Sequence, residues 1–206
     1  EITVQGGRPL YGTEFTIPTD RIVAGTYLFA TVATGGCTLL EHAPVMQLDA
    51  TIRVAEKMGA VCHICSEGLF IQAPERPKAV EIISTAPYPG FPTDLQSMAL
   101  VTATLADGMT VIRENIFENR FRIVDELMKM GANIQMMNAG CARIDGVERL
   151  KGTTMTAREL RGGAALLIAA TAAKGKSTIS GCKYIYRGYE RIENDLRELG
   201  ARIAGV

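Results

Sequence analysis

The chain has 206 residues, 47% of them apolar, with 22 basic against 22 acidic side chains. That composition supports one large domain or two small ones and excludes a disordered chain. A formal charge of zero excludes any general pull toward nucleic acid or an anionic membrane, while leaving room for a local basic pocket.

Residues 1–18, EITVQGGRPLYGTEFTIP, alternate apolar and polar around Gly6-Gly7 and Gly12, which predicts two short strands and a glycine-bearing turn. Thr19-Asp20 can cap the next segment, 21–34, which is apolar nearly all round. A helix without a polar face has to be buried on all sides. Gly35-Gly36 stops it, and Cys37–Leu40 reads as a short strand. An amphipathic helix at about 46–58 follows, then extended segments near 60–65, 68–72 and 79–85. Pro92-Thr93-Asp94 opens a second apolar helix, stopped at Asp107-Gly108, before a strand at 109–113. Phe117–Ile134 reads as a second amphipathic helix running through Gly-Ala into a strand. A third apolar helix at about 159–173, a strand at 176–180, a third amphipathic helix and a last strand at 201–206 complete the chain.

The pattern repeats. Each amphipathic helix ends in Gly-Ala, and the glycines Gly59, Gly131 and Gly200 stand 72 and 69 residues apart. Residues 142–157 restate the opening segment: Gly6, Leu10, Gly12, Thr13 and Thr16 match Gly146, Leu150, Gly152, Thr153 and Thr156 at one offset of 140, and Arg21 matches Arg161 at the same offset. A repeat of this kind governs the fold reading. The expectation is a single pseudo-threefold α/β domain over 1–206, with units at about 19–91, 92–158 and 159–206, apolar helices inside and sheets outside. Residues 1–18 are expected to close the third unit beside 201–206. Composition alone suggests a doubly wound parallel sheet as the alternative.

Few residues carry chemistry by pattern. Arg21 and Arg161 each open an apolar helix, against the dipole, which costs roughly 0.3–1 kcal/mol. Breaking a local rule twice at equivalent places points either to an anion site at a helix N-terminus or to a structural salt bridge. Thr93-Asp94 reads as an N-cap, as Thr19-Asp20 does, or as a carboxylate placed beside a sugar hydroxyl. The lone C-x-x-C of Cys62–Cys65 lacks a second ligand pair and reads as a buried strand. Cys37, Cys141 and Cys182 read as core thiols. The five cysteines together are too few for a disulfide scaffold and suit a cytosolic, reduced protein. The clustered methionines, including Met128, Met130, Met136 and Met137, read as core filler. No signal peptide, membrane-length apolar run, Walker loop, dinucleotide fingerprint or H-E-x-x-H is present. A first residue of Glu rather than Met suggests a processed or truncated product.

Pro89–Gln96 (PGFPTDLQ), Phe117–Phe121 (FENRF) and Arg187–Glu193 (RGYERIE), in this order and spacing, resemble the UDP-N-acetylglucosamine enolpyruvyl transferases (UDP-N-acetylglucosamine 1-carboxyvinyltransferases). Glu159-Leu160-Arg161 stands where that family commonly shows Asp-Leu-Arg. The resemblance spans essentially the whole chain, but only the C-terminal part of the family. It implies an inside-out α/β barrel of three similar units, and an enzyme that transfers enolpyruvyl from phosphoenolpyruvate to the 3-hydroxyl of UDP-N-acetylglucosamine through a tetrahedral ketal, without metal or cofactor. By motif, Asp94 meets the 3-hydroxyl as general base. Ile116 and Phe117 lie against the sugar. Arg120, Arg161 and the catalytic Arg187 gather around phosphoenolpyruvate and the departing phosphate, with Arg21 and Glu159 as neighbours of the cleft. The family's other domain, with its cysteine loop and an essential lysine and asparagine, has no counterpart here. The chain is therefore expected to be an isolated or excised cytoplasmic domain without turnover, its partners being the two substrates and the missing domain, with no nucleic acid or membrane. The rivals are a 3-phosphoshikimate 1-carboxyvinyltransferase-like domain and a non-catalytic folding or binding module.

Overall fold

The structure, a computed structural model, describes residues 1–204. The chain runs α1 (Arg21–Thr34), β1 (Cys37–Glu41), α2 (Asp49–Lys57), β2 (Val61–Cys65), β3 (Gly68–Gln72) and β4 (Ile82–Ser84). It continues with α3 (Gln96–Leu105), β5 (Met109–Arg113), α4 (Val124–Lys129), β6 (Asn133–Asn138) and β7 (Cys141–Asp145). β8 (Thr154–Thr156), α5 (Leu160–Ala172), β9 (Thr178–Ser180) and α6 (Ile192–Glu198) follow.

The three apolar helices form the centre. All ten residues of α3 are buried, as are Leu28, Phe29 and Val32 of α1 and Ala164–Leu166, Ile168 and Ala169 of α5. Each helix packs on the other two. Small residues let them approach: a Cβ built on Gly25 of α1 would lie 2.3 Å from a methyl of Leu95, which is fully buried at the entrance to α3. That contact lies near the start of both helices. The Arg161–Asp94 pair, at 3.6 Å, joins the starts of α5 and α3. The three N-termini therefore share one end of the bundle.

Sheets cover the outside. β1-β3-β2 is antiparallel, β4-β5-β7-β6 adds a parallel β4 to an antiparallel set, and β8-β9 is a parallel pair. Three separate sheets around buried helices give the inside-out arrangement and exclude the single doubly wound sheet. The strands show why one face suffices: Thr110 and Ile112 of β5 point inward while Met109 and Arg113 face water. The repeat is clearest at the helix stops. Gly59, Gly131 and Gly200 all take φ near +90 to +100°. In each copy the following alanine N–H reaches back five residues, Ala60 to Ala55, Ala132 to Leu127 and Ala201 to Leu196, satisfying a carbonyl that would otherwise be orphaned at the helix end.

Several expectations are corrected. Cys37 is exposed and Cys182 only part-buried, and Met128, Met136 and Met137 face solvent rather than the core. Residues 1–18 form no strand and are exposed throughout, with Leu10, Phe15 and Ile17 in solvent. Nor do residues 201–204 form a strand, while 205–206 lie outside the described residues. Without a third strand to pair with, a two-stranded ribbon is marginal in water, so the expected closure of the third unit has no template. The amphipathic helix expected from Phe117 is regular only over Val124–Lys129; Asn119 at φ 58° interrupts the α-helical path before it. Finally, β2 is not a buried strand: only Cys62 is half-buried, and Ile64 is 70% exposed.

Replacing Gly25 by valine should force Leu95 out of its packed position. Overpacking of this kind costs roughly 1–3 kcal/mol, so the melting temperature should fall by about 2–12 °C in a chain of this size. An unchanged melting temperature would show that the α1–α3 approach is not close.

Candidate functional site

The starts of two of the central helices are capped by their own sequence, and the third is not. Asp20 accepts from Ile22 N at 2.6 Å and Val23 N at 3.3 Å. Glu159 accepts from Arg161 N at 2.8 Å and from Gly162 N. A carboxylate at this place satisfies free N–H groups and faces the positive end of the dipole. Asp94 stands in the same sequence context as Asp20 but makes no cap. Its Oδ1 instead meets Arg120 Nη2 at 3.1 Å and Arg161 Nε at 3.6 Å. Among the described residues Oδ2 has no partner, and the side chain is 40% exposed. Of the two alternatives for Thr93-Asp94, the N-cap is not made.

Arg120 is the best-held member. Its side chain is only 6% exposed, its Nε donates to Thr93 Oγ1 at 3.3 Å, and its guanidinium lies 4.2 Å from the centre of the Phe117 ring. A guanidinium over an aromatic face gains about 0.5–2 kcal/mol. Phe117 and Ile116 present much of their surface to solvent, 57% and 46% exposed. Two apolar side chains beside a fixed cation and a carboxylate make a surface suited to a polar ring with an apolar face. Arg161 also approaches Tyr189, with Nη1 3.5 Å from the hydroxyl. Tyr189 is buried, and its hydroxyl shares a 2.7 Å hydrogen bond with Thr26 of α1. Burial pushes its pKa up, against the lowering effect of the Thr26 bond and of Arg161.

The structure thus brings together Asp94, Arg120, Arg161 and Phe117, with Ile116 the chain neighbour of Phe117. Arg187 ends a tight turn over Cys182–Arg187 and is exposed, and the next residue, Gly188, packs against Leu160 and Arg161. Arg21 is drawn elsewhere, over the ring of Tyr88 at 5.0 Å, so Arg21 and Arg161 share a repeat position but not an environment. Glu159 serves as the cap of α5. Sequence reading missed Tyr189 and Thr26, which sit 163 residues apart. It also missed Glu114, whose carboxylate accepts from the Ile116 and Phe117 amides at 2.9 Å each. The tyrosine lies inside a quoted motif; nothing local marks the other two.

The C-x-x-C strand lies in the first sheet, apart from this cluster, and no group of three or more metal-type ligands occurs among the described residues. No helix among them is long and apolar enough to cross a membrane.

Three central helices ringed by sheets, with arginines and a carboxylate at one end, define an enolpyruvyl-transferase-type domain. The family model for EPSP synthase (3-phosphoshikimate 1-carboxyvinyltransferase) matches residues 1–196, and the chain belongs to that family. It is 40% identical over its full length to UDP-N-acetylglucosamine 1-carboxyvinyltransferase 2 of Caldanaerobacter subterraneus subsp. tengcongensis, covering 49% of that protein. It is 43% identical, over 98% of its length, to UDP-N-acetylglucosamine 1-carboxyvinyltransferase of Nitratidesulfovibrio vulgaris, covering 48% of it. The crystal structure of the enolpyruvyl transferase NikO from Streptomyces tendae superposes on 92% of the chain with a TM-score of 0.80 at 26% identity, using 45% of that chain. The chain spans about half the length of the curated relatives it matches.

Cys62 gives a pH-dependent check of the first sheet. Burial, helped by the Glu56 charge, raises its thiol pKa from 9.0 to about 11. Because the thiolate is the nucleophile, peptide-resolved alkylation of Cys62 should be slow at neutral pH and keep accelerating through about pH 11. A plateau by pH 9 would contradict the placement.

Proposed function

We propose that this chain is one domain of a UDP-N-acetylglucosamine 1-carboxyvinyltransferase, a cytoplasmic enzyme of peptidoglycan precursor synthesis and hence of cell shape. The observation that carries the reading is Asp94. One of its oxygens is held by two arginines and the other is open, beside two exposed apolar side chains. In the reaction, the 3-hydroxyl of UDP-N-acetylglucosamine gives its proton to Asp94 while its oxygen bonds to C2 of phosphoenolpyruvate and C3 takes a proton from a general acid of the other half of the enzyme. The resulting ketal then loses phosphate as C3 returns a proton to that group, giving the enolpyruvyl ether. Arg120 and Arg161 orient Asp94, and Arg161 and Arg187 face the phosphate and carboxylate charges. Ile116 and Phe117 pack on the sugar. Glu159 supports Arg161 through the helix start, and Arg21 flanks the cleft. No metal, cofactor or nucleic acid takes part. The other half of the enzyme supplies the remaining donors. Losing one such donor typically costs about 10²–10³ in rate, so the lone chain binds without turning over.

A second reading, an acceptor of the shikimate 3-phosphate type, is favoured by the description of the matching family model. FENRF and RGYERIE weigh against it. Thermal unfolding with each ligand separates the two. At ten times its Kd, UDP-N-acetylglucosamine should stabilise the chain by about 1.4 kcal/mol, a rise of roughly 3–5 °C. The rise should be lost in Asp94→Ala and Arg120→Ala, with no phosphate released on adding phosphoenolpyruvate. Stabilisation by shikimate 3-phosphate alone, or steady phosphate release by the lone chain, would overturn the proposal.

A further inference from the structure

Glu114 directly follows β5 and is only 9% exposed. Its Oε1 accepts three hydrogen bonds of 2.9 Å, from Thr85 Oγ1, Ile116 N and Phe117 N. Its own N–H donates to Gly140 O at 2.8 Å. Oε2 is buried and has no partner among the described residues. Thr85 in turn accepts from Asn115 N, and Asn115 Nδ2 donates to Ser84 Oγ and Thr85 O, all at 2.8 Å. The turn after β5 is thus tied to β4 through one buried carboxylate.

Such an arrangement is expensive. A buried carboxylate loses its hydration and needs several donors to offset that loss, and here one oxygen takes all of them. A neutral side chain would cap a turn at lower cost. What the carboxylate fixes is the backbone of Ile116 and Phe117, whose side chains are the exposed apolar pair of the site. The Phe117 ring lies under the Arg120 guanidinium at 4.2 Å, and Arg120 meets Asp94 at 3.1 Å.

We propose that Glu114 is a positioning residue for the sugar-nucleotide side of the site. It holds the Ile116–Phe117 backbone and, through the Phe117–Arg120 stack, sets Arg120 against Asp94. The ligand half of this statement rests on the function proposed above; the positional half does not.

The test uses the whole chain labelled with ¹⁵N, comparing wild type with Glu114→Ala and, should that variant fold poorly, with the isosteric Glu114→Gln. Hydrogen exchange of the Ile116 and Phe117 amides should quicken about tenfold on removal of the acceptor. The Arg120 Nε–Hε signal should shift or broaden, while the Ile112 amide of β5 should stay within about twofold. The Kd for UDP-N-acetylglucosamine should rise about tenfold and the Kd for inorganic phosphate should hold within about twofold. Glutamine, which keeps one acceptor oxygen, should restore part of both effects. A residue that merely braces the fold would speed exchange across β5 and weaken both ligands together, and that result overturns the proposal. So does an unchanged Arg120 signal beside loosened amides. If wild type does not bind the UDP-sugar, the proposed function fails, while the amide and guanidinium signals still decide the positioning role.

Discussion

Three helices with no polar face cannot lie on a surface, and this constraint sets the architecture. α1, α3 and α5 can be buried only by one another and by something flat around them, so the sheets go outside. Small residues such as Gly25 permit the close approach. Packing three helix N-termini together at one end of the core then creates an electrostatic demand, because each brings free N–H groups and the positive end of a dipole. Asp20 and Glu159 meet that demand locally.

Function lies in the departure from the threefold pattern. At the second helix the equivalent carboxylate is taken up by arginines from two other elements, Arg120 before α4 and Arg161 on α5. The segment that brings Arg120 does not begin as a regular helix. Asn119 breaks it, Glu114 ties down its start, and the loop so formed exposes Ile116 and Phe117. The carboxylate at a helix start thus serves as a cap twice and as the partner of two arginines once. A repeat fold gains a site without altering its core in this way.

Much of this was legible in the chain. The burial of 21–34, the Gly-Ala stops and the three sheets follow from local pattern, because turn glycines and apolar periodicity act over a few residues. The resemblance supplied Asp94, Arg120, Arg161 and Arg187. What sequence could not supply were pairings between distant residues. Arg120 with Asp94, Thr85 with Glu114 and Thr26 with Tyr189 are separated by 26, 29 and 163 residues. Glu114 and Thr85 are ordinary polar residues in a pattern and become informative only once buried. The opening segment failed for the opposite reason. Its alternation is genuine, but a strand also needs a partner, and residues 201–204 provide none.

The site depends on Asp94 being held by Arg120 rather than standing beside it. A double-mutant cycle by urea unfolding, using Asp94→Ala, Arg120→Met and the pair, measures this directly. The expected coupling is about 1 kcal/mol or more, since removing Asp94 leaves a nearly buried guanidinium short of its main partner. Additivity of the two single changes to within about 0.3–0.5 kcal/mol would contradict it.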